Sequence, residues 1–110
     1  MADIIEKIEA AVKENKIMIF MKGNRSFPQC GFSATTVAIF DELGVPYATA
    51  DVLSDPELRD AIKRYSNWPT IPQVYVDGKF VGGCDIVREL YESGELETLV
   101  KGASGQTAAH

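Results

Sequence analysis

Lys16-Ile17-Met18-Ile19-Phe20-Met21-Lys22 is an unbroken apolar block held between two lysines. It is short enough for a strand, and its continuous apolarity suits a strand buried on both faces. A loop follows at residues 23–29, and from about Gly31 the pattern turns helical. Val37, Phe40 and Leu43 share one face of that helix, with Ile39 beside them. Gly44 and then Pro46 close it, a left-handed glycine followed by a proline. Residues 47–52 alternate weakly and read as a second strand. The unit is β-α-β, and the rest of the architecture is arranged around it.

Upstream, Asp3 with Glu6 resembles a helix N-cap and its N3 partner. Ile4, Ile5, Ile8, Ala11 and Val12 then recur at helical spacing, so residues 3–14 read as an amphipathic helix. Downstream, a third helix begins at Ser54-Asp55-Pro56-Glu57. Either Ser54 caps it with Glu57 at N3, or Asp55 caps it with Pro56 at N1. Leu58, Ala61, Ile62 and Tyr65 form its inward stripe. Gln73-Val74-Tyr75-Val76, Asp77-Gly78 and Lys79-Phe80-Val81 make a hairpin with a type I′ turn signal. Gly82-Gly83 ends that strand. A helix from Cys84-Asp85 carries Ile86, Val87, Leu90 and Tyr91 and breaks at Ser93-Gly94, and Leu96, Leu99 and Val100 mark one more.

The expected order is α-β-α-β-α-β-β-α-α, an α/β chain with a four-stranded mixed sheet and helices on both faces. Residues 1–101 form one domain in this reading, and 102–110, small and polar, a flexible tail.

The 110 residues are 45% hydrophobic and 25% charged, ordinary globular composition. The net charge of −5 disfavours nucleic acid, whose phosphates dominate affinity for it. The longest apolar run is Ile17–Met21, far short of the roughly 20 residues that cross a bilayer. Asp3 and Glu6 lie where a signal peptide would have a basic start and an apolar run. A cytoplasmic location is expected, and a mature organellar protein would look the same.

There are two cysteines, Cys30 and Cys84, and the one histidine is His110. Such a set does not make a structural zinc site. Cys30 falls at a strand–loop–helix junction, where backbone N–H groups and the helix dipole favour a thiolate. Lys22 ends the preceding strand and can add positive charge. The plainer alternative is a small buried hydrophobe, the commonest use of cysteine. A dithiol oxidoreductase carries Cys-x-x-Cys, and here the position three after Cys30 is Ser33. The missing resolving thiol weakens that reading and leaves room for a cysteine used as a ligand.

Three segments carry a resemblance. Lys22-Gly23 with Pro28-Gln29-Cys30-Gly31-Phe32-Ser33 resembles the Cys-Gly-Phe-Ser signature of the monothiol glutaredoxins. Asn67-Trp68-Pro69-Thr70-Ile71-Pro72-Gln73-Val74-Tyr75 and Gly82-Gly83-Cys84-Asp85 resemble that family's other two motifs, in order and suitably spaced. The similarity covers residues 3 to about 101. It departs at Asn24-Arg25, where the family more often has Thr or Ser, then Pro or Lys.

The resemblance implies a thioredoxin-like fold with a glutathione groove. Lys22 and Arg59 would pair with the glycine carboxylate, Lys63 being a weaker candidate one turn on. For Arg59 the alternative is an acidic partner on its own helix. Ile71, before a cis proline, would offer its backbone to the peptide part of glutathione, the alternative being a trans proline starting an edge strand. Cys84 and Asp85 would meet the γ-glutamyl end, Cys84 through its backbone and Asp85 through its carboxylate, unless Asp85 only caps the helix. Trp68 and Tyr75 read as packing residues.

By the same resemblance Cys30 is a ligand of a [2Fe-2S] cluster, which usually needs four thiolates. Two protomers and two glutathiones would supply them in a cluster-loaded homodimer. Cluster delivery to apo iron–sulfur client proteins and pairing with BolA-like proteins would follow. One rival is a glutathione-dependent oxidoreductase, at most a weak enzyme, with Cys30 as catalytic nucleophile. The other is an adaptor that binds partners through the groove.

Overall fold

Along residues 3–103, the part of the chain that the computed structural model describes, the elements follow in the expected order. They are α1 (Ile4–Glu14), β1 (Ile17–Met21), α2 (Gly31–Leu43), β2 (Ala48–Asp51) and α3 (Pro56–Ser66), then β3 (Gln73–Val76), β4 (Lys79–Gly82), α4 (Cys84–Ser93) and α5 (Glu95–Ala103). Local chemistry sets the boundaries. Asp3 and Glu6 exchange hydrogen bonds in a full capping box at α1. Of the two possible caps for α3, Asp55 is the one used, with Pro56 in the first turn. Gly44 ends α2 at φ 71°. Asp77 (φ 54°) and Gly78 (φ 81°) are both left-handed, the requirement of a type I′ hairpin.

The sheet order is β2-β1-β3-β4, with β1 parallel to β2 and antiparallel to β3. Central β1 buries every residue. Ile17, Ile19 and Met21 point into one cluster with Val37 and Phe40 of α2, Val87 of α4, and Leu96 and Val100 of α5. Met18 and Phe20 point into the other, with Ile8 and Val12 of α1, Ala61 and Ile62 of α3, and Tyr75. An alternating strand between two helical layers explains why this segment reads as uniformly apolar. Truncating Phe20, which is 1% exposed, to alanine would cost about 3–5 kcal/mol.

Two apolar positions depart from the expected stripes. Ile86 is 37% exposed and Leu99 is 42% exposed. Ile86 lies against Gly82, where an added Cβ would come within 2.7 Å of it. Helix α5 runs to Ala103, beyond the boundary at 101, and residues 104–110 of the expected tail lie outside the described residues. No helix among the described residues is long and apolar enough to cross a membrane.

Candidate functional site

Strand β1 ends at Met21, and the chain then turns through residues 23–29 to enter α2 at Cys30. Gly23 makes that turn possible. At φ 86° its missing Cβ would otherwise sit 2.5 Å from the Phe27 carbonyl oxygen. The loop is closed by a Gly23–Pro28 bridge and by Gln29 N–H donating to Lys22 O at 2.9 Å. Asp51, at the end of β2, accepts the Gly23 N–H at 2.9 Å. Within the loop, Asn24 Oδ1 accepts the N–H groups of Ser26 (2.9 Å) and Phe27 (2.8 Å). Arg25 reaches Asp41 Oδ1 at 2.7 Å and lies 4.4 Å over the Tyr47 ring. The unusual Asn24-Arg25 pair is therefore an internal turn and a strut to α2.

Cys30 is the N-cap residue of α2, partly exposed and unpaired with the other cysteine. Its thiol is pulled below the ordinary value, first by the Ser33 backbone N–H. Burial opposes this, while the Phe32 N–H, the Lys22 charge and the Ser33 hydroxyl add to it. The Cys30 side chain makes no capping hydrogen bond at α2, and the Ser33 and Phe32 N–H groups at the helix start favour its thiolate. The backbone contribution thus outranks Lys22. Ser33 is also more than a missing cysteine: fully buried, its Oγ accepts the Lys22 N–H at 3.1 Å and ties the end of β1 to α2.

A cleft of about 540 Å³ opens beside Cys30, within the roughly 300–1,000 Å³ of small-ligand sites. All six residues singled out from the sequence line it: Lys22, Cys30, Arg59, Ile71, Cys84 and Asp85. Lys63 lines it as well. Among the described residues, none of Lys22, Arg59 and Lys63 takes part in an ion pair, so Arg59 has no acidic partner on its own helix. Three cations lining one cleft without ion-pair partners suit a ligand that carries carboxylates.

Another wall is residues 68–72. The Ile71–Pro72 peptide is cis, as the resemblance implied. The Ile71 side chain packs into the α1–α3 cluster. Cys84 is buried at the start of α4. Gly83, not Asp85, is the N-cap of that helix, and the Asp85 carboxylate meets Arg88 at 3.1 Å in an exposed pair of small worth. Tyr75 is a packing residue as expected, 2% exposed. Trp68 is not simply one: 37% exposed, it lines the cleft with its ring 5.6 Å from Phe80. Its position next to Pro69, in the segment before β3, is the signal the sequence offers. Gln73, treated from the sequence as a strand residue, is fully buried and donates to the carbonyls of Trp68 and Thr70.

The glutaredoxin family model matches residues 17–81, more than half of the chain. A monothiol glutaredoxin of Synechocystis is 57% identical over 95 residues, 86% of this chain and 89% of that protein. Glutaredoxin 4 of Escherichia coli K12 is 48% identical over 101 residues, 92% of this chain and 88% of that one. Among solved structures, reduced apo GrxS14 of poplar superposes with a TM-score of 0.80 at 46% identity, covering 90% of this chain and 91% of that one. A buckwheat glutaredoxin–glutathione complex superposes with a TM-score of 0.82 at 26% identity, covering 92% and 90%. With its thioredoxin-like sheet and Ser33 where a second thiol would stand, the chain belongs to the glutaredoxin family, among the monothiol glutaredoxins.

Proposed function

We propose that the cleft binds glutathione, and that Cys30 and the glutathione thiol together hold a [2Fe-2S] cluster shared with a second copy of the chain. The observation that carries this reading is an activated, partly exposed thiol beside a cleft lined by three unpaired cations. Glutathione has two carboxylates, one ammonium and a thiol. Lys22 and Arg59 would take its glycine carboxylate, Arg59 through two parallel bonds. The N–H groups at the start of α4 would take the γ-glutamyl carboxylate, and Asp85 would exchange its weak Arg88 pair for the ammonium. Ile71 would pair its backbone with the peptide. The glutathione complex of the buckwheat relative supports the same use of the groove.

The cluster is cargo in this reading, for delivery to apo iron–sulfur clients with BolA-like proteins as partners, in the cytoplasm or a compartment reached after processing. A [2Fe-2S] core usually takes four thiolates. Among the described residues no group of three or more His, Cys, Asp and Glu could hold a metal, and Cys30 is the thiol the cleft exposes. One such thiol per chain fits one ligand position, which makes the second copy and the two glutathiones part of the site. Anaerobic reconstitution with iron, sulfide and glutathione tests this. The expected product is a coloured dimer with two iron and two glutathione per cluster. A colourless monomer after reconstitution would defeat it.

The depressed thiol also favours a secondary activity on protein–glutathione mixed disulfides. The Cys30 thiolate would attack the glutathione sulfur and release the protein thiolate. A second glutathione would then attack the Cys30–glutathione disulfide, freeing Cys30 and leaving as oxidised glutathione. Ser33 supplies no internal resolving thiol, so turnover should be weak. High turnover by colourless protein would put this reading first.

A further inference from the structure

The amide of Gln73 is 0% exposed at the first position of β3, on the sheet face that carries Phe20 and Tyr75. A buried amide in an apolar layer is costly unless its polar atoms are satisfied. Here Nε2 donates to the carbonyl oxygens of Trp68 (3.1 Å) and Thr70 (3.2 Å). Two carbonyls can be met only by N–H groups, so the amide's orientation is fixed. Its oxygen accepts the Tyr75 hydroxyl at 3.3 Å. Burial pushes that phenol up to about 12, so it stays a donor across the working pH range. No other hydrogen bond among the described residues reaches either loop carbonyl.

We propose that Gln73 is a positioning residue for the ligand cleft, its buried amide clamping the backbone of residues 68–70 into the wall that glutathione lies against. The wall is otherwise weakly tied. Trp68 N–H donates to Lys63 O (3.2 Å) and Ser66 Oγ (3.1 Å), both on the α3 side, and the chain from Pro69 to Ile71 is exposed except at Ile71. An unclamped wall would move Trp68, Thr70 and the Ile71 backbone away from the ligand without touching Cys30. The inference rests on the reading that the cleft takes glutathione.

The test uses the full chain with reduced glutathione as the probe. Acrylamide quenching of Trp68, the only tryptophan, reports the wall, and calorimetry reports affinity. Gln73→Met, similar in length but without donors, should raise quenching and weaken glutathione about tenfold. Val74→Ala, a core truncation one residue on, should lower stability and leave both readouts unchanged. Gln73→Glu adds a pH signature. Protonated, its carboxyl can still donate to one carbonyl, whereas ionised it faces both with no donor. Its affinity should therefore fall as pH rises through the carboxyl's raised pKa, over a range where the wild type is flat. Wild-type quenching and affinity in Gln73→Met, or a flat profile in Gln73→Glu, would overturn the proposal. If the wild type itself bound no glutathione, the functional reading would fail, and Trp68 quenching alone would decide the clamp.

Discussion

The loop before Cys30 and the loop before β3 flank one cleft, yet they are held differently. Residues 23–29 carry a bridge across their base, a backbone bond from Gln29 to Lys22, the Asx turn of Asn24, the Asp51 anchor and the Arg25 strut. Residues 67–72 depend on one buried side chain, Gln73, for the carbonyls of Trp68 and Thr70. A loop tied by many weak and partly exposed contacts tolerates the loss of any one of them. A loop whose two carbonyls are met by one buried amide is more exposed to its loss, because both protein partners go together. The contrast fits the work assigned to each wall: one keeps a sulfur at a helix start, and the other presents backbone to a peptide.

Replacing the sulfur separates scaffold from chemistry. Cys30→Ser should abolish cluster loading while leaving the far-UV spectrum and melting temperature close to wild type, since the thiol makes no capping bond. An iron assay after reconstitution checks it. Cys84→Ser should retain much of the cluster, because Cys84 is buried and assigned a backbone role.

Next come two of the cations that line the cleft. Lys22→Ala and Arg59→Ala should each weaken glutathione about tenfold by calorimetry, the loss of a charge-assisted bond. Similar losses would fit one carboxylate shared between the two cations, and wild-type affinity in both variants would break that assignment.

A smaller effect concerns the thiol itself. A depressed pKa keeps the thiolate at pH values where an ordinary thiol, near 8.5, is protonated, and reactivity is lost only as pH falls through the lowered value. Iodoacetamide rates against pH should show a midpoint below the ordinary one. Lys22→Ala should raise it only slightly, because the Ser33 N–H, which no side-chain change removes, contributes first. A midpoint that rose to the ordinary value would give Lys22 the leading role instead.

The smallest change is expected at Arg25. Its guanidinium is exposed, so loss of the Asp41 pair and the Tyr47 contact should cost about 1 kcal/mol or less. Thermal melting of Arg25→Ala, with iodoacetamide reactivity unchanged, checks it. A large loss would mean that the first loop also hangs on one residue.

Patterns that act locally were legible in the sequence. The Asp3–Glu6 box, the Asp77-Gly78 turn and the doubly buried β1 needed only neighbours along the chain to be read. The six site residues line one cleft because most sit where an element begins or ends, at the end of β1, the starts of α2 and α4 and the approach to β3, with Arg59 one turn into α3. What escaped depends on partners distant in sequence or on backbone atoms that have no letter. Gln73 reads as an ordinary polar residue because its partners are carbonyls. Ser33 reads as an absence because its bond runs to a backbone N–H eleven residues away. Ile86 and Leu99 look inward by period alone, and only the packing shows them exposed.

The central claim is that glutathione is a structural part of the cluster site, and the decay of a reconstituted, cluster-loaded sample tests it most directly. Visible absorbance would be followed over time at a series of free glutathione concentrations, with total iron held fixed. If glutathione thiolates complete the ligand set beside Cys30, glutathione binds the assembled state more tightly than the cluster-free chain, and raising its concentration should slow cluster loss by mass action. The protection should disappear in Arg59→Ala at the same concentrations. Decay that is independent of glutathione would contradict the account and direct attention to a cluster held by Cys30 and Cys84 of each chain.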